Sequence, residues 1–183
     1  MVYVALLRGI NVGGNNKVNM KALQTSFERA GMSDVVTYIN SGNIVFGHDS
    51  TDASALAATL EAVIADDFGL KIRVVVRSID EYALVMDALP PTWTNDKAMK
   101  SDVMFLWDEI DDQSIMGKLG IRPDIDSVVY VPGAVLWSVD RANATRSGMQ
   151  RLPSSPIYKQ MTIRNVNTTR KIYELMLSGS RAS

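Results

Sequence analysis

Between residues 2 and 78 the apolar segments change period in the order strand, helix, strand, strand, helix, strand. Few folds accept that order, and it most resembles the split βαβ arrangement of ferredoxin-like sheets. "VYVALL" at 2–7 is a continuous apolar run and reads as a buried strand. Asn19 is placed to cap a helix running to Gly31, with Met20, Leu23, Phe27 and Ala30 on one stripe. "VVTYI" at 35–39 and "IVF" at 44–46 flank "NSGN", a hairpin signal. Residues 52–68 space Leu56, Leu60, Val63 and Ile64 for one helix face. Residues 70–78 alternate, with Leu70, Ile72, Val74 and Val76 on one side and Lys71, Arg73 and Arg77 on the other.

Ser78 and Glu81 form a capping box for a helix through Leu89, and the two prolines at 90 and 91 end it. The stretch at 91–101 reads as a linker. This divides the chain into a ferredoxin-like domain at 1–90 and a smaller, related α+β subdomain at 91–183. The second part is expected to run as βαββα. Its strands fall at 102–107, 127–131 and 134–139, and its helices near 112–119, 154–161 and 167–178. The last six residues read as frayed. The fold class is therefore α+β in two related halves.

Charge is distributed unevenly. The chain is close to neutral, at −1, yet residues 141–183 carry eight Arg or Lys and one acid, Glu174, for a net of +7. Two readings are open: an anionic partner for this segment, or docking of the basic end on the acidic body. Cysteine is absent, which removes disulfides, thiolate nucleophiles and Cys-bound metals. His48 is the only histidine and falls in a polar loop, so no metal site is expected. The first apolar run is too short for a signal peptide or a membrane span, and a cytoplasmic location with no membrane partner is the expectation.

"RGINVGGNNK" at 8–17 exceeds the roughly two to six residues that a connector needs. Gly9 and Gly14 have P-loop spacing, but Asn15 and Asn16 stand where Lys and Ser or Thr belong, and the dinucleotide fingerprint is absent as well. What remains is a strand, a Gly-rich turn and a helix N-terminus, with cations at Arg8 and Lys17. This defines a candidate anion cradle of Arg8, Gly9, Asn11, Gly13, Gly14 and Lys17. The alternative is that Gly and Asn serve turn geometry alone. Antiparallel pairing of the first and third strands puts the hairpin tip beside the loop, which adds Ser41 and Asn43. "TIRNVNT" at 162–168 opens the last helix; Asn165, Asn167 or Thr168 can cap it, with Arg164 just ahead. Arg164, Asn165 and Asn167 are expected to close the cradle from the second half. The paired acids Asp66–Asp67 and Asp111–Asp112 read as solvated faces, and the Lys71, Arg73, Arg77 stripe as solvated or covered.

"LLRGINVGGNNKV", "YINSGNIVF" and "TIRNVNTTRKIYEL" together resemble the bacterial family known as domain of unknown function 1697, in order and over nearly the whole chain. The resemblance implies an α+β fold with a ferredoxin-like first half and a related second half, and it implies no activity. The family's last motif usually reads Arg-Asn-Trp-Asn-Thr; here Val166 replaces the Trp. A packing role for that position makes the change a smaller core residue, and a ligand role makes it a change in binding. The leading functional expectation is a binding protein for a phosphorylated ligand, either a nucleotide or a nucleic-acid segment. One alternative is an enzyme on a small phosphorylated or carboxylated metabolite, with Tyr38, Lys17 or a carboxylate as its acid–base group. The other is a protein-interaction module. No cofactor is named by any motif.

Overall fold

In the computed structural model, which describes residues 1–181, the first six elements stand in the expected order. They are β1 (Val2–Leu7), α1 (Met20–Arg29), β2 (Ser33–Tyr38), β3 (Asn43–Gly47), α2 (Ala53–Phe68) and β4 (Val74–Ser78). By its own contacts the chain divides into two compact units. One joins Met1–Tyr82 to the segment from Ile172 onward; the other is Ala83–Lys171.

In the first unit the strands form an antiparallel sheet in the order β2-β3-β1-β4, with β1 central. One face carries Tyr3, Leu7, Ile44 and Phe46 against Leu23 and Phe27 of α1 and Leu60 and Ile64 of α2. Phe27 is fully buried and meets Phe46 edge-on at 6.3 Å. The other face is buried too, at Val4, Leu6, Val45 and Val75, which is why β1 carries no polar residue. Both helices start as their caps dictate: Asn19 Oδ1 accepts from the Ala22 N–H at 3.0 Å, and Asp52 Oδ1 accepts from the Ala55 N–H at 2.9 Å.

The β4 strand is shorter than its alternation suggests, and Arg77 within it is buried, donating to the Val76 carbonyl at 3.0 Å. Lys71 and Arg73 lie outside the strand and are exposed. The stripe is therefore not a continuous solvated face. Asp67 also departs from the solvated reading, because both its oxygens accept from Arg29, at 2.8 and 2.9 Å. At the boundary, α3 (Ile79–Ala88) has the reciprocal capping box. Ser78 N–H donates to Glu81 Oε2 at 2.7 Å, and Glu81 N–H donates to Ser78 Oγ at 3.2 Å.

The second unit holds β5 (Met99–Leu106), β6 (Asp126–Val131), β7 (Ala134–Asp140) and β8 (Met161–Asn165), and α4 (Val166–Arg181) starts there. The order β6-β7-β5-β8 repeats that of the first sheet, strand for strand in chain order. The halves are thus related as expected, with one strand more than the sequence pattern shows. Residues 161–165 pair with Asp102–Leu106 instead of opening the last helix. The helices expected near 112–119 and 154–161 are short 3-10 segments, Gln113–Lys118 and Pro156–Gln160. The tail is helical through Arg181, and 182–183 lie outside the described residues. Asp111 is a tie within this unit. Its two oxygens accept from the Gly133 N–H at 2.9 and 2.8 Å, and Oδ1 accepts from the Tyr130 hydroxyl at 3.0 Å. Burial and then this carboxylate push the Tyr130 phenol up to about 12.

Asp102 carries an electrostatic cost. Burial raises its pKa, and the positive charges of Lys100 and Arg141 offset that only in part. An acid whose folded pKa is raised stabilises the fold below its unfolded pKa of about 4, and that stability is lost as pH rises through the folded value. Asp102→Asn is therefore expected to raise Tm at pH 7, with the gain shrinking toward pH 4. Calorimetry at the two pH values checks this, and an unchanged or lower Tm at pH 7 would refute it.

Candidate functional site

The 8–17 segment owes its composition to backbone handedness. Gly9, Asn11, Gly13, Gly14 and Asn16 all have positive φ, between 47° and 80°. Asn15 N–H donates to the Val12 carbonyl at 3.0 Å across Gly13-Gly14, and Asn11 N–H to the Asn16 carbonyl at 3.1 Å. With both central residues left-handed, this is a type I′ turn closing a miniature hairpin, and Gly-Gly suits it.

Asparagine side chains fix that hairpin in place. Asn11 Oδ1 accepts from the Val18 N–H at 2.9 Å, and Nδ2 donates to the Val18 carbonyl at 3.1 Å and the Asn40 carbonyl at 2.9 Å. Asn16 Nδ2 donates to the Gly9 carbonyl at 2.9 Å. The loop is thereby tied to the start of α1 and to the β2–β3 turn.

That turn is where the antiparallel pairing puts it. Leu6 pairs with Asn43, and Leu7 N–H donates to the Gly42 carbonyl at 2.8 Å. Asn43 is fully buried, and its Nδ2 donates to the Tyr38 carbonyl and to Ser41 Oγ, both at 3.0 Å. Asn43 and Ser41 thus brace the turn from within. Ile39, at φ 48° and half exposed, holds a conformation that β-branched residues disfavour.

Loop, helix start and turn enclose an open cleft of about 410 Å³, lined by Asn11, Gly14, Lys17, Val18, Asn19, Met20 and Asn40. No carboxylate lines it, and the first turn of α1 contains no acid. Of the residues the sequence singles out, Asn11, Gly14 and Lys17 line the cleft. Arg8, half-buried, and exposed Gly9 and Gly13 belong to the same loop. Val18, Asn19, Met20 and Asn40 also line it, and the sequence does not assign them to the site. Asn40 sits in the hairpin tip that the β1–β3 pairing sets beside the loop, and its carbonyl accepts from Asn11.

In the second unit, Arg164 lies in β8, just ahead of the Asn165 cap and the start of α4. It is buried, and Nη1 donates to Thr162 Oγ1 at 3.0 Å and to the Ile163 carbonyl at 2.8 Å. Asn165 is the cap of α4, accepting from the Thr168 N–H at 2.9 Å. Asn167 Nδ2 donates to the Asn95 carbonyl at 3.0 Å. Val166 is fully buried, so that position packs. His48 Nδ1 accepts from the Ser50 N–H at 2.9 Å. Among the described residues, no group of three His, Cys, Asp or Glu is arranged to hold a metal ion, and no helix is long and apolar enough to cross a membrane.

Two antiparallel four-stranded sheets of matching order, with a self-bonded Gly/Asn hairpin at the end of the first strand, define the class of protein. The chain belongs to the family described as Protein of unknown function (DUF1697), whose profile matches residues 1–137. It is similar to a solved structure, that of the conserved bacterial protein SP0830 from Streptococcus pneumoniae. The two are 30% identical, the match covers 96% of this chain and 98% of that one, and the TM-score is 0.82. No curated protein matches the chain.

Proposed function

We propose that the protein binds a phosphorylated ligand, a nucleotide or a nucleic-acid segment, in the cleft between the 8–17 hairpin and the start of α1. The observation that carries this reading is the lining: a helix N-terminus, an exposed lysine and amide groups, with no acid to repel an anion. A helix start concentrates partial positive charge and suits phosphate oxygens. In this reading Gly14 and Lys17 meet the ligand, Arg8, Gly9 and Gly13 complete the loop, and Asn11, Ser41 and Asn43 hold the frame. The enzyme reading gains no support from the lining, where Lys17 is the one ionisable side chain.

A thermal-shift screen over nucleotides, phosphorylated metabolites and short oligonucleotides tests the proposal. A ligand at a hundredfold excess over its Kd stabilises by about 2.7 kcal/mol. Lys17→Gln is expected to weaken that ligand several-fold and leave the unliganded Tm unchanged, because Lys17 is exposed. A flat screen across all three classes would overturn the reading.

A further inference from the structure

The second unit carries a basic segment distinct from the cleft. The chain has 20 acidic residues, yet none falls between positions 141 and 173. Docking on the body accounts for part of this segment's charge. Arg141 bonds the Asp96 carbonyl and Asn95 Oδ1, and Arg170 bonds the Trp93 and Pro90 carbonyls. It does not account for Arg146, Arg151 and Lys159. All three are exposed, and none makes an ion pair; Arg146 reaches only Asn143 Oδ1, at 3.4 Å.

These cations stand on a surface that is built, although it has no regular element. Consecutive 3-10 turns, Gly148–Gln150, Leu152–Ser154 and Pro156–Gln160, press Met149, Leu152 and Ile157 into the core of the second unit. Beneath the first turn, the buried Asp126 carboxylate accepts from the Ser147 hydroxyl and from the Gly148 N–H. With its apolar side chains turned inward, the segment presents cations and small polar groups outward. Among the described residues, the exposed large apolar ones are Met1, Val12, Val36, Ile39, Leu84 and Val129, none of them in this segment. A membrane surface or a protein partner draws much of its affinity from apolar anchors. A nucleic-acid backbone requires none, because release of its counterions supplies the free energy.

We infer that Arg146, Arg151 and Lys159 form a sequence-independent contact surface for the phosphate backbone of a nucleic acid. This inference does not rest on the 8–17 cleft. Three cations on a duplex give a slope of log K against log salt of about −2.7, or about a 40-fold loss of affinity between 50 and 200 mM salt. The test is fluorescence anisotropy of a fluorescein-labelled 20-base-pair duplex with the full chain over that range. The R146Q/R151Q/K159Q variant should lose both the binding and the slope while keeping its Tm. An R146K/R151K variant should keep the slope, and so should Lys71→Gln, at an exposed lysine outside both the cleft and this segment. Absent or salt-independent binding of the parent at 50 mM would overturn the inference. So would parent-like binding by the triple glutamine variant, an equal loss with Lys71→Gln, or binding of phosphatidylserine vesicles without binding of the duplex.

Discussion

Gly42→Ala is expected to destabilise the protein by about 3 kcal/mol, read as a fall in the urea midpoint at unchanged slope. Two costs combine. Gly42 has φ 80°, and a side chain in that region costs about 1–2 kcal/mol. An added Cβ would also lie 2.7 Å from Leu7 Cβ and 2.9 Å from Ile10 Cδ1, both fully buried. Overpacking of that kind adds about 1–3 kcal/mol. Gly14→Ala separates the two, since Gly14 has the same φ of 80° with nothing within 4 Å of an added Cβ. It should cost only the backbone share, about 1–2 kcal/mol. Equal losses at the two positions would show that the close approach of the β2–β3 turn to Leu7 and Ile10 contributes nothing. The turn matters to the cleft because it holds the Asn40 carbonyl that anchors Asn11.

The sequence makes the first unit legible because its elements are locally determined. Asn19, Asp52 and the Ser78–Glu81 box cap their helices with side chains a few residues away. Strand 8 is a different case. "MTIRN" has no uniform alternation, and its Thr, Arg and Asn imitate a helix start; pairing with β5 makes it a strand. Its Arg164, which the sequence offers as an anion ligand, is buried and donates to Thr162 Oγ1. The 8–17 loop is intermediate. Its glycines and asparagines announce left-handed backbone, which the structure has at five positions. The sequence does not announce that Asn11 and Asn16 use their amides on carbonyls of the first unit. Residues near in sequence reveal caps and turns, whereas cross-strand and cross-loop partners require the folded chain.

Asp126→Ala should have the largest effect, a loss of about 4 kcal/mol at pH 7. Asp126 is 8% exposed, and its carboxylate accepts from the Arg122 N–H at 2.8 Å, the Gly148 N–H at 3.0 Å and the Ser147 hydroxyl. Ser147 Oγ in turn accepts from the Met149 N–H at 3.0 Å. Removing the acceptor leaves buried donors unmet, at about 1–3 kcal/mol each, with partial relief as the hydroxyl rotates. Burial works to raise the carboxyl pKa, but the hydrogen bonds from Ser147, Arg122 and Gly148 outweigh it, and the net shift is downward. A depressed folded pKa contributes stability above the unfolded value of about 3.9, and that stability is lost as pH falls through the folded value. The gap between parent and Asp126→Ala in urea unfolding should therefore be full at pH 7 and narrow below about pH 4. A gap independent of pH would mean that the carboxylate acts through packing and not through its charge. Because the same carboxylate seats the turn that follows Arg146, its loss should also increase amide exchange at Met149. Duplex binding should then weaken although every cation remains in the chain.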